Sequence, residues 1–297
     1  MLADERRRTI SRQDLDRHPS FNDISPQLGE LDVGAFDELF EATPDAALEL
    51  LAQMTQATDR SLAALSRRLA GRLVMDVART GAARSRGTGR LVRAPADESS
   101  SDVDFDSSLD ALVTARAERR APALDELVAT RWQQPLTAVC LLIDRSGSMS
   151  GERLTSAALA GAICSWRAPQ HFAVIAFSDT AVVMKSLTET VPSEQLITRI
   201  LALRGHGTTD LRLALVAAHR QLASSPASRR VTILLSDAEV TAGGDPLPAA
   251  RALDELIVIA PADAPEHARA LVAAAGGRLA EVGGPMSVLD ALRTAFA

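Results

Sequence analysis

Three short stretches hold side chains whose types and spacing suit metal chemistry. Asp144, Ser146 and Ser148 stand two residues apart, and Gly147 between the serines lets the chain curl, so that one carboxylate and two hydroxyls converge. The run Arg204 to Asp210 brings Thr208 and Thr209, and Ser236 is followed by a second carboxylate, Asp237. Carboxylates and hydroxyls are hard oxygen donors, the set that magnesium takes in octahedral geometry with some positions left to water. Neither thiolates nor a histidine cluster join them, so zinc and iron are disfavoured by ligand type.

The elements around these stretches explain why they sit where they do. Thr137–Ile143, Phe172–Phe177, Val231–Leu235 and Leu256–Ala260 are short unbroken apolar runs, the pattern of strands buried on both faces. Ala181–Met184 follows Phe177 across a Ser-Asp-Thr turn and is expected to be an antiparallel edge strand. Helical stretches near 152–166, 193–203, 211–223, 246–253 and 265–275 separate the runs, which predicts an α/β fold with a doubly wound, mostly parallel sheet. In such sheets ligands bind beyond the carboxyl ends of the strands. The two carboxylates each lie at such an end, and the threonines open a helix.

Other chemistries are poorly served. Of 32 basic residues 31 are arginine, and the single lysine, Lys185, lies in no phosphate-binding loop, which excludes a Walker-type ATPase site in this chain. Met149 stands where a GxSxG elbow needs serine, so no serine-hydrolase motif forms there, and His171, His206 and His219 bring no matching nucleophile. A magnesium-dependent phosphotransfer or hydrolytic enzyme using the same site is the alternative, with Arg145 and Arg204 as its nearest cations. Cys140 and Cys164 lie in apolar runs without a CxxC spacing and are expected as small buried hydrophobes. Asp102–Asp106 starts like a calcium loop, but Ser107 and Val113 occupy the positions that need glycine and glutamate.

The three stretches, in order, resemble the von Willebrand factor type A domain with its metal-ion-dependent adhesion site, over about residues 135–297. Asp144, Ser146 and Ser148 match the family's DxSxS loop, Thr209 its later threonine and Asp237 the aspartate after a central strand, at separations of 65 and 28 residues. Thr209 is preferred over Thr208 because it directly precedes Asp210-Leu211, and Ala238 stands where many members have glycine. The resemblance implies that these five residues hold Mg2+, with Mn2+ or Ca2+ as alternatives, and that an open coordination position takes an acidic side chain of a partner protein. The Asp-Arg-Ser-Gly-Ser-Met signature, with helices before it, looks like the bacterial cytoplasmic CoxE-like and magnesium-chelatase D-type branch. That likeness implies a non-enzymatic adaptor for a separate MoxR-type AAA+ ATPase.

The first 133 residues differ in texture from residues 134–297, which are expected to be the type A domain. Leu62, Leu65, Leu69, Leu73 and Val77 repeat at helical spacing, and Leu48, Leu51 and Met54 form a similar stripe after Thr43-Pro44, where threonine can cap and proline can start a helix. Charge blocks between Arg79 and Asp106 suggest a linker whose arginines pair with its own acids, and a further helix is expected from about 108 to 119. The net charge of −6 argues against general nucleic-acid binding. No apolar run of 18 residues occurs, and the charged start does not look like a signal peptide, so the expectation is a cytoplasmic protein without a membrane partner.

Overall fold

The structure, a computed structural model, describes residues 9–81, 90–97, 102–133, 136–146, 151–205 and 207–296. Five helices come first: α1 (Arg12–Leu15), α2 (Phe21–Ile24), α3 (Val33–Ala42), α4 (Pro44–Met54) and α5 (Arg60–Gly81). They are followed by β1 (Arg90–Pro95), α6 (Phe105–Ala117) and β2 (Val128–Gln133). The remainder alternates: β3 (Thr137–Asp144), α7 (Gly151–Arg167), β4 (Phe172–Phe177), β5 (Ala181–Lys185), α8 (Ser193–Leu201), α9 (Leu211–Ala223), β6 (Arg229–Leu235), α10 (Leu247–Arg251), β7 (Glu255–Pro261), α11 (Glu266–Ala275), β8 (Arg278–Val282) and α12 (Ser287–Phe296).

The six later strands form one sheet in the order β5-β4-β3-β6-β7-β8, parallel except for β5, which runs antiparallel along the edge beside β4. This is the α/β architecture that the apolar runs predict. β3 is buried from Ala138 to Asp144 because both of its faces are covered. Val139, Leu141 and Ile143 face a core shared with α7, α8 and α12, while Ala138, Cys140 and Leu142 face α9, α10 and α11. Cys140 and Cys164 are buried and unpaired, and burial raises both thiols, as expected of small hydrophobes. From β3 the chain steps to β4 on one side, then returns to β6 on the other. The strand order therefore reverses between β3 and β6.

The helices before β1 pack on this sheet rather than apart from it. Leu48 and Leu51 of α4 and Leu62, Leu69 and Val77 of α5 are buried in the same core as Leu154, Ala158 and Ile197 of α7 and α8. The Thr155 hydroxyl of α7 donates to the Leu48 carbonyl at 3.2 Å. These helices and everything from Thr137 onward form one compact unit, and residues between Arg86 and Leu136 form a second. Pro44 takes the first helical position of α4 as expected, but Thr43 does not cap it: its hydroxyl donates back to the Leu39 carbonyl, closing α3 instead.

The second unit pairs β1 with β2 antiparallel, Arg90 opposite Gln133 through to Pro95 opposite Val128. Residues 90–95 of the expected linker are thus a strand. Asp104 caps α6 by accepting from the Ser107 N–H at 3.1 Å, which starts the helix at Phe105, three residues before the expected position. The same carboxylate accepts from Arg93 Nε at 2.7 Å, the local acid and base pairing that the charge blocks suggest. Arg84, Arg86, Gly87 and Gly89 lie outside the described residues.

Candidate metal centre

Asp144 is the last residue of β3 and is 6% exposed. Its Oδ1 accepts from the Ser146 N–H at 2.9 Å, an aspartate turn that bends the chain off the strand end. Its Oδ2 accepts from the Ser236 hydroxyl at 2.5 Å, from the loop that leaves β6. Burial holds the Asp144 carboxyl above the usual carboxylate range against the lowering by these hydrogen bonds, and the nearby charge of Asp237 adds to the rise. A carboxylate kept in this setting is poised for a cation.

Asp237 follows Ser236, and its Oδ1 accepts from the Glu239 N–H at 3.1 Å. Its Oδ2 lies 3.3 Å from Nη1 of Arg153, in the first turn of α7. Asp144, Ser146, Ser236, Asp237 and Arg153 line one cavity of ≈ 470 Å³, whose lining also includes Ile259 of β7, Asp263 just after it and Gly284 after β8. It opens where the strand order reverses, the place such sheets reserve for ligands. A larger cavity of ≈ 610 Å³ lies among α1, α5 and the loops beside them. Among its described lining residues the basic one, Arg12, donates to the backbone carbonyls of Ser25 and Gln27.

Thr209 is 3% exposed, in the loop before α9, whereas Thr208 is exposed. The Thr209 N–H donates to the Thr241 hydroxyl at 2.7 Å, and its carbonyl accepts from the N–H groups of Thr241 and Ala242. The Asp210 N–H donates to the Ser178 carbonyl at 2.8 Å, so the loops after β4 and β6 and before α9 are bonded together. Asp210 then caps α9 by accepting from the Leu213 N–H at 2.9 Å. Thr209 does not line the cavity that holds Asp144, Ser146 and Asp237. Ser148 and His206 lie outside the described residues, as do the rest of Gly147–Ser150.

Two residues of the site are absent from the sequence-derived set. Ser236 was visible only as the neighbour of Asp237, yet its hydroxyl ties the end of β6 to the end of β3 by donating to Asp144, while its oxygen accepts from the Ala238 N–H at 2.9 Å. Arg153 offered no signal, because a helical arginine reads as a solvated face. Ala238 adopts φ 61°, the left-handed region that glycine occupies without strain.

Residues 139–239 match the family model of the von Willebrand factor type A domain, and all five expected ligands fall inside that span. Over those residues the α/β unit is thus similar to a domain of this type. Such domains are in general metal-dependent protein-interaction modules, mostly without catalysis. Among solved structures the chain is similar to the von Willebrand factor type A protein of Catenulispora acidiphila (20% identity, covering 57% of this chain and 44% of that one, TM-score 0.45). It is also similar to an aerotolerance-related membrane protein of Bacteroides fragilis (15%, 54% and 98%, 0.44). A third is proximal thread matrix protein 1 of the mussel byssus (15%, 55% and 48%, 0.43), whose structure is described with a zinc-occupied metal-ion-dependent adhesion site. The chain spans less than half the length of the Catenulispora and mussel chains. No curated protein matches it. Among the described residues no helix is long and apolar enough to cross a membrane.

Proposed function

We propose that this protein is a metal-dependent protein-interaction module whose binding centre is the strand-end cavity. Asp144, Ser146 and Asp237, which line that cavity, would hold one Mg2+ together with Ser148 and with Thr209 from outside the cavity lining, Mn2+ or Ca2+ being the alternatives. Bound there, the ion supplies an open Lewis-acid position for an acidic side chain of the partner, because hydroxyl ligands leave its charge under-neutralised. The chain's own part is to hold donors in place: Ser236 fixes the Asp144 carboxylate, and the bonded loops fix Thr209. The observation that carries this reading is the buried Asp144 facing Asp237 and Ser146 in one cavity at the strand-order reversal.

Within that reading the protein is a cytoplasmic adaptor of the CoxE-like type, working with a MoxR-type AAA+ ATPase on a separate chain and lacking enzymatic activity of its own. Support for this finer step is the pattern of residues 144–149 and the layer of helices α1–α5 fused to the domain. Calorimetric titration of the metal-stripped protein with MgCl2, wild type beside Asp144→Asn, tests the centre. Binding in the wild type and none in the variant is expected. Co-precipitation of a purified MoxR-type ATPase with Mg2+, and its loss with chelator, tests the partner. Mg2+ binding that survives Asp144→Asn would overturn the assignment of the ligands.

A further inference from the structure

We infer that Arg153 is a tethered counter-ion of the strand-end centre, seated on Asp237 in the metal-free state and displaced when a cation takes that carboxylate. The inference rests on the metal reading above and adds a regulation of the same site. Arg153 is the third residue of α7, in the turn where the helix already presents partial positive charge from its free N–H groups. A guanidinium there works against the helix dipole, so the position is not one that helix formation favours. Its Nη1 reaches across to Asp237 Oδ2 at 3.3 Å, a link between residues 84 apart in sequence. The two side chains are 31% and 17% exposed, so solvent screens the pair only in part.

The geometry gives the arginine a role in charge balance. Asp144 and Asp237 line the same cavity, and without a cation their like charges oppose each other. Among the described residues that line this cavity Arg153 is the basic one, and it pairs with the more exposed of the two carboxylates. An arriving divalent cation competes for the same oxygen and meets a fixed positive charge beside it. The apo centre is thereby stabilised and metal affinity is lowered, which makes occupancy responsive to the free cation concentration rather than constitutive.

The test is calorimetric titration of the full chain, stripped of metal, with MgCl2 for the wild type, Arg153→Gln and Arg153→Lys, alongside thermal melts in chelator. Arg153→Gln is expected to bind Mg2+ about five- to tenfold more tightly, tenfold being about 1.4 kcal/mol. Arg153→Lys, which keeps the charge, is expected to stay within about twofold of the wild type. In chelator Arg153→Gln melts lower, and added Mg2+ raises its Tm more than that of the wild type. Unchanged or weaker Mg2+ binding by Arg153→Gln, or equal tightening by both variants, overturns the counter-ion role and leaves the metal centre standing. Absence of Mg2+ binding in all three proteins overturns the metal reading and this inference with it. Binding by Arg153→Gln alone supports both.

Discussion

Replacing Leu48 by alanine probes whether the front helices and the sheet unfold as one body. Leu48 is 1% exposed on α4, and its carbonyl accepts from Thr155 of α7, so its side chain stands in the layer between the helical front and the sheet. The change removes three buried carbons at about 0.8 kcal/mol each, and the void left behind adds to that, giving about 3–4 kcal/mol. For a unit of this size each kcal/mol lowers Tm by about 2–4 °C, so a fall of about 10 °C is expected. Trp166 near the end of α7 reports on the sheet side, once Trp132 is replaced by phenylalanine in both proteins compared. Far-UV circular dichroism reports on all helices. Both signals should fall together in Leu48→Ala, while Leu28→Ala, at a side chain 77% exposed, should shift neither by more than about 0.5 kcal/mol. An early loss of helical signal with the Trp166 transition unmoved would refute the single-unit packing.

Three further outcomes follow from particular contacts. The Asp144 carboxyl is held high by burial, so the folded metal-free chain takes up this proton more readily than the unfolded chain does, and the stability it contributes is lost as pH rises through the folded value. Asp144→Asn should therefore raise the Tm of the metal-free chain at pH 7, with the gain shrinking as pH approaches about 4, as differential scanning calorimetry across pH will reveal. Glu255 behaves oppositely: its hydrogen bonds from Arg229, at 2.7 and 3.0 Å, hold its carboxyl below the usual range, with Arg278 adding to the effect. Its contribution is present above the ordinary carboxylate pKa and disappears as pH falls through the lower folded value, so acid titration of Glu255→Gln should show a shallower loss of stability in that window. Gly243 has φ +82°, and a Cβ there would lie 2.3 Å from the Asp210 carboxyl carbon, so Gly243→Ala strains the loop and pushes the α9 cap aside. A cost of about 2–3 kcal/mol in urea unfolding is expected.

Much of the fold was legible because burial on both faces writes a local pattern. Four uninterrupted apolar runs became β3, β4, β6 and β7, and the short run after Phe177 became the antiparallel edge β5. β8 and α12 escaped notice. Arg278 and Glu281 break the apolarity of β8, since an edge strand is covered less completely, and its short stretch carries too few residues for a clear period. β1 was hidden for a related reason: it carries Arg90 and Arg93, and its pairing with β2 joins segments some 40 residues apart, a contact no local window contains.

The sequence by itself determined which oxygen donors stand at the strand ends, because a buried strand ends close to where its apolar run ends. Asp144, Ser146 and Asp237 were placed at those ends in this way. Only the tertiary structure decided how those donors are held. Ser236 reaches Asp144 from 92 residues away, and Arg153 reaches Asp237 from 84, because the sheet order sets β3 beside β6 with α7 over one face. The same applies to the front helices, whose stripes announced that they must pack but not on what. Periodicity encodes which face of an element is apolar; the surface that covers it depends on sheet order and on the shapes of all the layers together.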